Sequence, residues 1–250
     1  MKSSGAAIGK QRLDRLLVER GLVESREKAQ ALIMAGAVLV DGQKARKPGH
    51  NVAVSSRVEL MERPPYVSRG GLKLAAALAR FAISVAGRIC VDIGSSTGGF
   101  TDCLLQRGAA KVHAVDVGAG QLDWNIRNDP RVAVHEGINA RHLRAEEIGE
   151  PVDLIVCDVS FISVTLILPA IVPLLNNPAA GEMVILIKPQ FESQKGQVGK
   201  GGVVRDPELH RAACARVETA VQSFGFETSL MESPILGAEG NKEFLLYARY

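Results

Sequence analysis

The stretch Ile89-Cys-Val-Asp-Ile-Gly-Ser-Ser-Thr-Gly-Gly-Phe-Thr-Asp102 decides how the larger part of this 250-residue chain is read. Ile89 to Ile93 is an apolar strand carrying one carboxylate, Asp92, and it runs through a glycine-rich turn into a helix. In a doubly wound sheet, the first such turn is where a ligand meets the helix N-terminus, and small residues let the backbone come close to it. The spacing here is G-x-x-x-G-G, which differs from the pyrophosphate fingerprint G-x-G-x-x-G.

Outward from this stretch the pattern alternates. Strands are predicted at 112–115, 132–135, 154–157, 183–187, 228–231 and 244–248, and helices at 72–81, 101–106, 121–127, 166–175 and 207–224. Alternating apolar strands and helices imply an α/β fold with a mostly parallel sheet covered on both faces. Asp116 closes the second strand, where a carboxylate can accept both hydroxyls of a ribose. Carboxylates at Asp92 and Asp116 suit a nucleoside with a positive end better than a diphosphate. S-adenosylmethionine has that shape, and a nicotinamide cofactor is its rival for the same architecture. The candidate cofactor residues are Asp92, Gly94, Ser95, Ser96, Thr97, Gly98, Gly99, Phe100, Asp116, Val117 and Asp158, with Asn139 after the third strand as a contact for the adenine.

Composition excludes several classes. A hydrophobic fraction of 46% supplies a packed core, and the longest apolar run, Leu166 to Leu175, is interrupted by two prolines and too short to span a bilayer. The first residues lead into Lys10-Gln-Arg12 and lack the apolar stretch of a secretory signal, so a cytoplasmic protein is expected. Four cysteines lie far apart without a Cys-x-x-Cys pair, so neither a metal site nor a redox pair is expected. Residues 1–60 hold eleven Lys and Arg against six Asp and Glu, a net +5, whereas the remainder holds nineteen against twenty-one, a net −2. Such a basic end suits an encounter with phosphate.

Within that basic end, Arg12 to Gly21 and Arg26 to Ala35 read as two short amphipathic helices, the second capped by Ser25. Val38 to Val40, the turn Asp41-Gly42 and Gln43 to Pro48 read as a hairpin. The segments RLDRLLVERGLVESREKAQALI and GAVLVDGQKARKPG resemble the S4 RNA-binding domain, a small α+β module. The residues expected to meet RNA are Arg12, Arg15, Arg26, Lys28, Lys44, Arg46 and Lys47. The expected layout is a flexible arm at 1–11, the S4-like module at 12–61, a proline-bearing joint at 62–67 and the larger domain at 68–250.

Two strand ends of the larger domain carry charge. Met183 to Ile187 is an apolar strand that ends in Lys188, and Leu154 to Cys157 ends in Asp158. Asp158-Val-Ser-Phe161 lacks the Asn/Asp-Pro-Pro-aromatic motif of exocyclic-amine methyltransferases, and the side chain of Cys157 should point into the sheet packing. Methylation of a ribose hydroxyl asks for a positioned base and close alignment, without a metal. Lys188 suits the base, with Lys73 as a neighbouring charge, Asp158 orienting the amine and the methyl group, and Glu243 opening the last strand. Lys73, Asp158, Lys188 and Glu243 match the K-D-K-E tetrad of the FtsJ-like ribose 2′-O-methyltransferases. The segments YVSRGGLKL, DIGSSTGGFTD, AVDVGAGQLDW, DVSFIS, KPQFE, KGQVGKGGVVRD and GNKEFLLYAR resemble the hemolysin-A (TlyA) family of ribosomal RNA methyltransferases. The resemblance implies a seven-stranded class I (Rossmann-like) methyltransferase with an N-terminal S4 domain. It also implies S-adenosylmethionine-dependent 2′-O-methylation of cytidine, with ribosomal RNA or a ribosomal subunit as partner. A chain stopping directly after its last strand resembles the shorter type, for which large-subunit RNA alone is the expected substrate. Gly196 to Gly202 is expected to form a mobile cover over the RNA site. The readings from other classes are a membrane-lytic hemolysin and an RNA-binding assembly factor without catalysis.

Overall fold

The computed structural model describes residues 9–61, 64–176, 181–193, 196 and 198–250. The chain divides into two compact units, Met1–Pro64 and Pro65–Tyr250.

In the smaller unit, β1 (Lys10–Arg12) runs into α1 (Leu13–Glu19), and Ser25 caps α2 (Arg26–Met34) by accepting the Lys28 amide at 3.2 Å. The hairpin joins β2 (Val38–Val40) to β3 (Gln43–Lys44), with Leu39 opposite Lys44. Asp41 and Gly42 have φ of 50° and 80°, the left-handed pair that a two-residue hairpin turn requires. The antiparallel partners are β4 (Asn51–Ala53) for β1 and β5 (Val58–Leu60) for β2. Leu13, Leu16, Leu17, Ala29, Ile33 and Val38 form the core, so the helical spacing read in the sequence does face inward. The expected free arm at 1–11 needs correction at its end, because Lys10 and Gln11 lie opposite Ala53 and Val52. That strand depends on a partner some forty residues away, which a local pattern does not reveal. Residues 1–8 of the arm and 62–63 of the joint lie outside the described residues.

The larger unit contains α3 (Gly70–Arg80), β6 (Ile89–Ile93), α4 (Gly99–Gln106), β7 (Lys111–Asp116), α5 (Trp124–Arg127), β8 (Val132–Glu136) and α6 (Ala145–Ile148). It continues through β9 (Leu154–Cys157), α7 (Leu168–Ile171), β10 (Glu182–Ile187), α8 (Pro189–Glu192), α9 (Pro207–Gln222), β11 (Glu227–Glu232) and β12 (Phe244–Arg249). The seven strands form one sheet in the order β11-β12-β10-β9-β6-β7-β8, and only β12 runs against its neighbours. This is a Rossmann-like α/β sheet of the expected kind. The helix expected at 166–175 is broken into two 3-10 turns and the single turn of α7, because Pro169 and Pro173 remove ladder donors. The helix expected at 121–127 starts only at Trp124, because the Asp123 carboxylate accepts the Asn125 amide at 2.8 Å and caps it there.

Apolar residues alternate to the two faces of the sheet. Val91, Ile93, Ile155, Cys157, Ile185 and Ile187 pack on one face against α7 and α9. Cys90, Val156, Val184 and Leu186 pack on the other against Leu74 and Leu78 of α3 and Leu104 of α4. Side chains two apart share a face, so Asp92, Asp158 and Lys188 continue the rows of Cys90, Val156 and Leu186 on the α3–α4 side. The chain order along the sheet reverses between β6 and β9, which opens a crevice at their C-terminal ends.

Candidate active site

Two cavities open at that crevice. The larger, about 490 Å³, is lined by Gly94, Ser96, Asp116, Val117, Gln121, Ile138, Asn139, Asp158, Ser160 and Phe161 among others, a size usual for small-molecule sites. The smaller, about 160 Å³, is lined by Ser68, Gly70, Lys73, Gly94 to Thr97, Gly99, Phe100, Asp158, Ser160 and Lys188. Gly94, Ser96, Asp158 and Ser160 belong to both and form the wall between them.

Backbone geometry shapes that wall. Gly94 has a φ of 84°, and a Cβ there would lie 2.6 Å from the Asp158 carbonyl oxygen, so only glycine lets β6 and β9 meet so closely. Ser96 also takes a left-handed φ, 47°, and its amide donates to Asp116 Oδ2 at 2.8 Å. The Gly118 amide donates to Asp116 Oδ1 at 2.7 Å. Each carboxylate oxygen keeps a further acceptor position, so Asp116 is oriented by the backbone and can still accept hydroxyls from the larger cavity. Asn139 is held by accepting the Arg141 amide at 3.0 Å, and Val117 is largely exposed beside it.

The glycine loop faces both ways, which the sequence reading did not anticipate. Ser95, Thr97, Gly99 and Phe100, read as cofactor residues, line the smaller cavity, and Gly98 packs against Leu122 and Ile126 while capping α4. Asp92 lies beneath the loop, fully buried. Thr101 Oγ1 donates to its Oδ2 at 2.7 Å, and Oδ1 has no hydrogen-bond partner among the described residues. Burial, with Asp158 and Asp116 nearby, pushes its carboxyl up to about 7.

The four tetrad positions form two ion pairs. The Lys73 ammonium donates to Glu243 Oε2, with both side chains buried. Gly237 makes room for Glu243, since a Cβ at 237 would lie 1.9 Å from its Oε1. Lys188 Nζ stands 2.6 Å from Asp158 Oδ1 and donates to Ser160 Oγ at 2.8 Å. Asp158 Oδ1 has no aligned hydrogen bond among the described residues, so this contact is an ion pair off the lone-pair direction. Lys73, expected as a neighbouring charge for Lys188, lines the smaller cavity with it and is itself paired with Glu243. Cys157 is buried on the opposite face in the apolar core, where burial raises its thiol, so it is not placed to act as a nucleophile on either cavity. Ser160 and Phe161 escaped the sequence reading. Phe161 is 91% exposed with a φ of 66°, rare for a bulky residue, and nothing in its local sequence signals that conformation.

In the smaller unit the expected RNA residues separate into two groups. Arg12 donates to Asp14 Oδ1 and Oδ2 at 3.0 and 2.8 Å, and Arg26 and Gln30 donate to Oδ2 at 2.9 and 3.0 Å. Asp14 is buried, and the Arg12 hydrogen bonds hold its carboxyl well below the usual range. Arg12 and Arg26 therefore serve the packing of α1 against α2. Lys28 pairs with Glu24, while Arg15, Lys44, Arg46 and Lys47 are exposed.

This arrangement of a glycine wall, a cleft and a K-D-K-E set has counterparts. Residues 66–250 match the FtsJ-like methyltransferases, and residues 11–58 match the S4 domain. The chain belongs to the FtsJ-like methyltransferase family. Among these relatives, the Mycobacterium tuberculosis 16S/23S rRNA (cytidine-2′-O)-methyltransferase TlyA is 49% identical over 95% of this chain and 89% of its own length. Hemolysin A of Brachyspira hyodysenteriae is 45% identical over 94% of this chain and 98% of its own. A solved structure from Streptococcus thermophilus, described as a hemolysin, superposes with a TM-score of 0.72 at 43% identity, covering 97% of this chain and 89% of that one. The chain is thus an FtsJ-like methyltransferase with an S4 domain, of the TlyA kind. No helix among the described residues is long and apolar enough to cross a membrane.

Proposed function

We propose that this protein methylates the 2′-hydroxyl of a cytidine ribose in ribosomal RNA, in the cytoplasm, using S-adenosylmethionine. One observation carries the proposal: the two cavities meet at Asp158 and Ser160, and the smaller one presents the Lys188 amine directly beside that meeting point. The larger cavity fits the donor chemically. Asp116 has acceptor capacity left for ribose hydroxyls, the apolar Ile138 and Val117 suit the adenine, and the carboxylate of Asp158 favours a cationic end. When bound, S-adenosylmethionine supplies an electrophilic methyl group on a sulfonium.

The protein's own residues then have separate tasks. Lys188 Nζ, after giving up one proton to solvent, takes the proton of the ribose hydroxyl, and Asp158 and Ser160 aim that amine. Lys73, held by Glu243, leaves its charge at the wall of the smaller cavity, where a phosphate or ribose oxygen of the acceptor can be positioned. Phe161 offers an exposed aromatic face at the rim of the larger cavity for an unstacked base. Arg15, Lys44, Arg46 and Lys47 of the S4 unit supply the phosphate contacts.

The test uses ribosomal RNA and subunits from cells lacking this protein, with tritiated S-adenosylmethionine and mapping of 2′-O-methyl positions. Incorporation at a cytidine ribose is expected, and its absence from all such substrates would refute the proposal. Lys188→Ala is expected to lower turnover by about 1,000-fold or more, with S-adenosylmethionine affinity within about threefold of wild type. Wild-type turnover by that variant would remove Lys188 from the base role.

A further inference from the structure

Asp158, Ser160 and Phe161 all reach the cavities from one short segment beyond the end of β9, and that segment contains the left-handed Phe161. The turn carrying Lys188 begins beyond the end of β10. Two separate loops must therefore hold one geometry at the 2.6 and 2.8 Å contacts of Lys188 with Asp158 and Ser160.

Glu192 joins them. It closes α8, four residues after Lys188, and is 3% exposed. Its Oε2 accepts from Ser163 Oγ, and its Oε1 accepts the Val164 amide at 2.8 Å. Ser163 in turn caps the 3-10 turn Val164–Leu166, accepting the Thr165 amide at 3.3 Å. The neighbouring ring of Phe191 lies 5.2 Å from that of Phe161. On the other side, Arg216 of α9 donates to the Glu192 backbone carbonyl at 2.8 Å. A carboxylate is costly to bury unless its oxygens are bonded, and here both are bonded to the far loop. Burial raises the proton affinity of Glu192, while Ser163, Val164 and Arg216 favour its charged form. Glu192 lines neither cavity, so its effect on chemistry has to pass through the loops it ties.

We propose that Glu192 is a positioning residue for methyl transfer, locking segment 158–163 to the Lys188 turn so that Lys188, Asp158 and Ser160 keep one arrangement between donor and acceptor. The inference rests on the methyl-transfer function proposed above. Groups that orient a reacting residue from behind commonly change rate by 10- to 100-fold, as small misplacements of a reacting group do.

The experiment compares full-length wild type, Glu192→Ala, Glu192→Gln and Ser163→Ala in the tritiated-methyl assay. Absence of wild-type transfer would refute the function itself and is thereby distinguished from failure of this inference. With active wild type, Glu192→Ala is expected to lower kcat about 10- to 100-fold, with KM for S-adenosylmethionine within about threefold. Glu192→Gln should restore kcat to within about threefold, because an amide can accept from Val164 and donate to Ser163. Hydrogen exchange of residues 158–166 should quicken in Glu192→Ala while that of β10 stays slow. The inference is overturned by a Glu192→Ala kcat within threefold of wild type, or by Gln as slow as Ala. It is also overturned by losses of kcat that merely follow the fraction of folded protein. Should Glu192→Ala fail to fold, Ser163→Ala decides: a kcat fall of about fivefold or more supports the link, and wild-type kcat refutes it.

Discussion

Asp92 shows how a single buried carboxyl makes stability depend on pH. It is fully buried, its Oδ1 is unpartnered among the described residues, and its carboxyl is pushed up to about 7. A carboxyl whose folded pKa lies above its unfolded value of about 3.9 holds its proton in the folded state between those two values. It therefore favours folding fully below the lower value, and the benefit is lost as pH rises through the upper one. Asp92→Asn removes that loss, keeps the acceptor for Thr101 and needs no charge underground. The variant without ligand is expected to melt at least about 3 °C higher than wild type at pH 8, with the gap closing by pH 5, in calorimetric scans. Equal gaps at both pH values would show that burial of charge is not the cause.

Elements of the smaller unit divide its cations by task. The α1–α2 pair is held through Asp14, which takes hydrogen bonds from Arg12, Arg26 and Gln30, whereas the hairpin of β2 and β3 leads into exposed Lys44, Arg46 and Lys47. Substituting these three by Ala together should weaken RNA binding and lower the slope of log affinity against log salt by about 2, with melting unchanged. Arg12→Ala should do the reverse, lowering the stability of the smaller unit with little change in the salt slope. Filter binding across a salt series and denaturant unfolding separate the two. A salt slope unaffected by the triple substitution would move the RNA surface elsewhere. Because the Asp14 carboxyl sits below its ordinary range, its stabilisation is present above about pH 4 and is lost as pH falls toward its folded value.

At the scale of the molecule, both cavities are lined within the larger unit alone. A chain beginning at Pro65 is expected to bind S-adenosylmethionine within about threefold of the full-length protein while methylating ribosomal RNA at least about tenfold more slowly below saturation. Calorimetry and the methyl-transfer assay measure the two separately. Full RNA turnover by the shortened chain would remove the S4 unit from substrate capture.

The amino-acid sequence by itself determined the class of fold and named candidates for the site, because these rest on local signals. Apolar strands of period two, glycines at the first strand-to-helix turn and charges at strand ends made the seven strands legible, together with Asp116, Asp158 and Lys188. Strand β1 was not legible, since it exists only by pairing with β4, and neither was the break of the helix over 166–175 into turns. Who pairs with whom was also out of reach. Lys73 and Glu243 are 170 residues apart and Arg26 reaches Asp14 from the next helix, so only folding brings those charges within bonding distance. Tertiary structure alone decided that the glycine loop walls two cavities, that Lys73 is partnered, and that Glu192 reaches across to Ser163 and Val164. The reason is physical: a side chain's face follows from its own strand's period, but its partner is set by the order and spacing of other strands in the sheet.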